Sequence, residues 1–155
     1  MAAPALSSIL DRQTGDAERP KPLPVGTYRA IVVGAPRFDK SSKKGTDFVE
    51  FTIKFLSAEE DVDQDDLATA LTKKSGETVP LSAKTSRLTF YLTEDAVYRF
   101  DEFVKQCGLD IEDNPMSRRQ AAAEVQNCEV LVHLKHTPSD DGENVYANID
   151  KTAAV

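Results

Sequence analysis

Four cations crowd into the eight residues Arg37-Phe38-Asp39-Lys40-Ser41-Ser42-Lys43-Lys44, against one acid, Asp39. Lysines spaced in this way can track phosphates, and Phe38 among them offers a face on which a base can stack. The same chemistry recurs in two later stretches, as Phe48 with Lys54 and as Arg87 with Tyr91. An aromatic beside a cation suits sequence-tolerant binding of a single strand, because every base has a π-face. The competing reading of 37–44 is a solvated loop. For Phe48 and Tyr91 it is packing beneath a helix or a long connection.

Other constellations carry less. Asp61-x-Asp63-x-Asp65 opens like a calcium loop, which also needs glycine at its sixth place and glutamate at its twelfth. Asp66 and Thr72 stand there instead. Cys107, Cys128, His133 and His136 are zinc-type ligands whose spacing fits no zinc pattern. His133 and His136 are also an odd number of residues apart on a predicted strand, so they point to opposite faces. Ser41-x-x-Lys44 matches a serine-lysine motif in letters, but that chemistry needs its serine buried at a helix start. There is no Walker loop, no glycine-rich dinucleotide fingerprint and no triad. A non-catalytic protein without metal or cofactor is expected.

The chain has 155 residues, enough for one domain with a real core. With 40% hydrophobic and 29% charged residues it falls among globular proteins. The net charge of −7 argues against retention on nucleic acid by bulk positive charge, so the local clustering at 37–44 matters more than the sum. Two cysteines do not make a disulfide framework, and reduced, buried thiols are expected. No apolar run approaches a membrane span, and Met1 to Pro24 lacks the pattern of a secretory signal, so cytoplasmic residence is expected.

The elements that must position these side chains follow from periodicity. Residues 1–24 read as a flexible arm with a weak amphipathic turn at Leu6, Ile9 and Leu10. Thr27 to Val33 is a predicted strand ended by Gly34 and Pro36, which makes Arg37 to Thr46 a basic linker. Asp47 to Leu56 alternates strictly: Val49, Phe51, Ile53 and Phe55 on one face, and Phe48, Glu50, Thr52 and Lys54 on the other. Residues 58–84 form an elaborated connection with a short helix over Asp65–Lys74 and a short edge strand at Val79–Leu81. Its acids, Glu59 to Asp66, should leave it solvated and mobile, a competitor for phosphate.

Thr85 to Leu92 is a third strand. A helix follows, with Thr93 as N-cap and Ala96, Val97, Phe100, Phe103, Val104 and Cys107 on its apolar face, ending at Gly108. A short helix at Ser117–Gln126 precedes strands at Cys128–His136 and Val145–Ile149, joined through a turn at Asp141-Gly142.

Three strands, a helix and two strands is the element order of the OB-fold, a mainly β, five-stranded Greek-key barrel with its helix between strands three and four. The domain spans 25–155 after the arm. An α+β sheet with one packed helix is the rival architecture. Leu23-Pro24-Val25-Gly26-Thr27-Tyr28, then Lys44-Gly45-Thr46-Asp47-Phe48-Val49-Glu50-Phe51, the helix ending Phe103-Val104-Lys105-Gln106-Cys107-Gly108, and Tyr146-Ala147-Asn148-Ile149 carry a family likeness. On these motifs, over about 23–150, the chain resembles small bacteriophage OB-type proteins taken to be single-stranded DNA-binding proteins of replication and recombination.

In such a barrel the loop between strands one and two borders the binding groove. The expected contacts are therefore Arg37, Phe38, Lys40, Lys43, Lys44, Phe48, Lys54, Arg87 and Tyr91. The expected partner is single-stranded DNA. Replication or recombination proteins and a second copy of the chain are further candidates, and membranes are not. The chain ends Asp150-Lys151-Thr152-Ala153-Ala154-Val155, not in the acidic tail common in such proteins, so tail-mediated recruitment is not carried over. The alternative function is a protein-interaction or virion-associated module on the same barrel.

Overall fold

A computed structural model of the chain describes residues 21–73, 75–139, 142 and 145–155. The predicted amphipathic turn at Leu6 to Leu10, most of the arm, and Asp141 of the predicted turn lie outside these. Among the described residues are five strands, β1 (Gly26–Lys40), β2 (Asp47–Ala58), β3 (Thr85–Tyr91), β4 (Glu129–Pro138) and β5 (Val145–Ala153). Three α-helices join them: α1 (Gln64–Ala70), α2 (Val97–Gln106) and α3 (Arg118–Glu124). The strands make one antiparallel sheet in the order β3-β2-β1-β4-β5. Among the described residues no helix is long and apolar enough to cross a membrane.

Period-two alternation puts Tyr28, Ala30 and Val32 of β1, Val49, Phe51, Ile53 and Phe55 of β2, and Val130, Val132 and Leu134 of β4 on one buried face. Helix α2 covers it with Phe100, Phe103 and Val104. Phe51 is the hub: its ring lies 5.3 Å from Phe103, 6.1 Å from Phe90 and 6.3 Å from Phe100, centroid to centroid. Such ring pairs add to the area they bury. Tyr28 is fully buried, packs edge-on against Phe55, and donates its hydroxyl to the Pro24 carbonyl at 2.8 Å. That bond satisfies the one polar atom the ring carries into the core.

Helix α2 also bridges the two outer strands. It packs on β3, and Gln106 near its C-terminus exchanges two hydrogen bonds with Thr152 of β5. Between β3 and β5, beneath α2, lies a cleft of about 410 Å³ whose walls include Leu88, Phe90, Tyr98, Gln106 and Ile149.

Several expectations are corrected, the helix start among them: α2 begins at Val97 with Ala96 at its N-cap, and the Thr93 hydroxyl accepts from the Ala96 amide in the turn before it. Strand β1 does not stop at Gly34 and Pro36 but runs on to Lys40. The pairing jumps from Val33↔Thr52 to Arg37↔Glu50, so Gly34, Ala35 and Pro36 bulge out opposite Phe51. A bulge accommodates both breakers: Gly34 takes a positive φ of 74°, and Pro36 needs no ladder partner for its missing N–H. No strand forms at Val79–Leu81; an isolated bridge, Thr72↔Thr78, and a 3-10 turn at Leu81–Ala83 stand there.

The acidic connection is docked rather than hanging free. The Asp61 carboxylate accepts from both the amide and the hydroxyl of Thr27, each at 2.8 Å. Val62 is buried directly over Gly26, where a Cβ would come within 2.5 Å of its Cγ2. Asp63 then caps α1 by accepting from the Asp66 amide at 2.9 Å.

Phe51→Ala should destabilise the protein by about 3–5 kcal/mol in denaturant unfolding, because the ring is central and packs against rings from both β3 and α2. The Thr27 amide and hydroxyl hold the Asp61 carboxyl below its ordinary value of 3.8. A depressed carboxyl stabilises the fold above the unfolded value and loses that contribution as pH falls through the folded one. Asp61→Asn should therefore be less stable than wild type at neutral pH, and the gap should close in thermal melts as the pH is taken progressively below the ordinary carboxyl value of 3.8. A constant gap across that range would count against the Thr27 bonds as its source.

Candidate nucleic-acid interface

Residues directly opposed in an antiparallel ladder share a face. On the side of the sheet away from the core, four such rows run across β1, β2 and β3. They are Asp39, Phe48 and Tyr91; Arg37, Glu50 and Thr89; Val33, Thr52 and Arg87; and Ile31, Lys54 and Thr85. Five of the expected contact residues, Arg37, Phe48, Lys54, Arg87 and Tyr91, thus meet on one surface. Phe48 and Tyr91 are edge-to-face neighbours with centroids 6.4 Å apart. The Arg37 guanidinium lies 5.2 Å from the Phe48 ring centroid, within range of a cation–π contact. Tyr91 is 50% exposed, so its ring is open to a ligand.

The other four expected residues lie elsewhere. Phe38 and Lys40 alternate with Arg37 and Asp39 and therefore face the opposite side, opposed to Val49 and Asp47. Lys43 and Lys44 occupy the hairpin tip. The tip is shorter than the linker expected over 37–46, because Arg37 to Lys40 belong to β1. It is closed by Ser41 N–H to Thr46 O at 2.8 Å and Gly45 N–H to Ser41 O at 2.9 Å. The Ser41 hydroxyl accepts from the Thr46 amide, and the residue sits in a turn, not at a helix start.

Electrostatics divide these cations into two groups. Arg37 is held by Glu50 at 3.3 Å and by Asp39 at 2.7 Å, Arg87 reaches the same Glu50 oxygen at 3.8 Å, and Lys40 pairs with Asp47 at 2.6 Å. Glu50 is the one member of this network that is largely covered, at 16% side-chain exposure. Among the described residues Lys43, Lys44 and Lys54 have no acidic partner. Sequence reasoning placed Glu50 on this face without assigning it a role; its position between two arginines across two ladders could not be read from the local pattern. It missed Arg119 entirely: from α3, its guanidinium lies 5.2 Å from the Phe38 ring centroid.

Among the described residues no three His, Cys, Asp or Glu side chains are grouped to hold a metal. His133 Nδ1 is 2.7 Å from Asp150 Oδ1, and His136 Nε2 is 2.7 Å from the Leu23 carbonyl oxygen. Cys107 and Cys128 are free and half-buried, and burial pushes the Cys107 thiol up to about 12. A thiol is nucleophilic only as thiolate. Cys107 should therefore resist iodoacetamide at pH 8 in the native protein and react promptly in denaturant, as read by mass spectrometry. Rapid native labelling would refute its burial.

Compared with known proteins, the chain matches no protein-family model and no curated sequence.

Proposed function

We propose that the protein binds single-stranded DNA across the outer face of β1, β2 and β3, without catalysis, in phage-type replication or recombination. The observation that carries this reading is the juxtaposition of Phe48 and Tyr91, two neighbouring rings on a solvent-facing sheet, with Arg37 over Phe48 and Arg87 further along the same face, tied to Glu50. Rings supply stacking and cations follow the backbone, and neither requires a particular base.

An OB-type barrel is the architecture that fits. What supports it is the strand order β3-β2-β1-β4-β5, a five-stranded closed order opened at one seam, with a helix from the β3–β4 connection laid across that seam. In that architecture the outer face of strands two and three is a binding surface. The competing function, a protein-interaction or virion-associated module, draws on one observation: Glu50, Asp39 and Asp47 already hold three of the cations.

The distinction is measurable. Three unpartnered lysines at the tip and face contribute about −2 to the salt slope for single strands, in log affinity against log salt. Lys43→Ala with Lys44→Ala should flatten that slope by about 1.4 and weaken all sequences alike. Phe48→Ala or Tyr91→Ala should instead cost about 1–3 kcal/mol and leave the slope unchanged. Duplex should bind more weakly than single strands throughout. A wild-type protein that binds no single strand at low salt would transfer the face to the interaction-module reading.

A further inference from the structure

The sheet face ends at a rim, and the rim is built. Phe48 and Phe38 lie on opposite faces of adjacent rows in the β1–β2 ladder, and each ring is approached by an arginine at 5.2 Å, Arg37 on Phe48 and Arg119 on Phe38. Between them opens a groove of about 480 Å³, lined by Phe38, Asp39, Lys40, Asp47, Phe48 and Arg119 among others. That volume is in the range of small-ligand pockets, about 300–1,000 Å³.

The groove's two acids are both engaged, Asp39 by Arg37 at 2.7 Å and Asp47 by Lys40 at 2.6 Å. Arg119 has no acidic partner among the described residues, so it is the groove's uncompensated charge. Its place is fixed from behind. The neighbouring Arg118 grips Asp101 of α2 through two hydrogen bonds of 2.9 and 2.8 Å, and Ser117 caps α3 by accepting from the Gln120 amide. Helix α3 is thereby held against α2, with Arg119 turned to the hairpin.

We propose that this groove is a second nucleotide subsite, over which a bound single strand leaves the sheet face and passes the rim, with Phe38 as its base platform and Arg119 as its phosphate contact. The inference rests on the sheet-face reading above and extends it to a residue about 70 positions beyond the hairpin tip. Mixed charge and an aromatic wall fit a nucleotide better than an apolar peptide. The open ring at Phe38, 38% exposed, leaves a surface to stack on.

A length series tests it. Wild type and Arg119→Ala are titrated by fluorescence anisotropy, at low salt, with single-stranded DNA of about 4 to about 16 nucleotides. The two proteins should agree on the shortest strands that bind. On strands long enough to pass the rim, the variant should lose about tenfold in affinity, and its salt slope should flatten by about 0.7. Arg119→Lys, which keeps the charge, should keep the wild-type slope. Equal affinity at every length, an equal loss at every length, or a lysine variant as flat as the alanine one overturns the rim subsite while the sheet face stands. Failure of wild type to bind any strand overturns both.

Discussion

Strand β1 has to serve two neighbours at once. From Tyr28 to Ile31 it is paired on both edges, with β2 on one side and β4 on the other. Beyond Val33 only the β2 ladder continues, and the hairpin projects from the sheet. The three-residue bulge at Gly34-Ala35-Pro36 lies at this change. Four residues advance on β1, from Val33 to Arg37, while two advance on β2, from Thr52 to Glu50. The excess is even, so alternation survives the bulge, and Arg37 emerges on the same outward face as Ile31 and Val33. An excess of one would have turned Arg37 inward and sent Phe38 out in its place. The composition of the candidate interface therefore depends on the length of an irregularity that itself carries no functional side chain.

Charge on that interface is managed locally. The protein as a whole carries −7, and its acids are not kept away from the arginines. Glu50 sits between Arg37 and Arg87 and holds both in place across the sheet. Both arginines are more than half exposed although Glu50 is largely covered, and ion pairs with an exposed partner contribute little, about 0–1 kcal/mol each, so either guanidinium can turn to a phosphate at small cost. The arrangement orders Arg37 over Phe48, and Arg87 on the same face, before any ligand arrives, which lowers the entropy lost on binding.

Alternation and helical spacing were legible wherever a segment buries one face on its own account. Asp47 to Leu56 showed its inward and outward residues correctly, and Phe100, Phe103 and Val104 marked the buried stripe of α2. What stayed hidden depends on partners distant in sequence. Gly34 and Pro36 stop a strand in isolation, but not one whose neighbour tolerates a bulge. Glu59 to Asp66 has the composition of a solvated loop, and its docking turns on Val62 finding the space above Gly26. Nothing near Arg119 announces that it will lie over Phe38, because the contact is made by the packing of α3 against α2 through Arg118 and Asp101.

The double pairing of β1 also bears on how the chain is made. Gly26 pairs with Leu134, and Tyr28 with Val132, across about a hundred residues of sequence. At about 5–20 residues per second, a ribosome takes roughly 5–20 seconds to add that stretch. The β1–β2 hairpin and its docked acidic connection can form early, but the second edge of β1 has no partner until β4 emerges. For that interval Gly26 to Ile31 is an open strand edge backed by Tyr28, Ala30 and Val32, the kind of surface that captures other extended chains. Synthesis speed through α2 and α3, and the chaperones present meanwhile, set the time over which the nascent protein is exposed to mispairing.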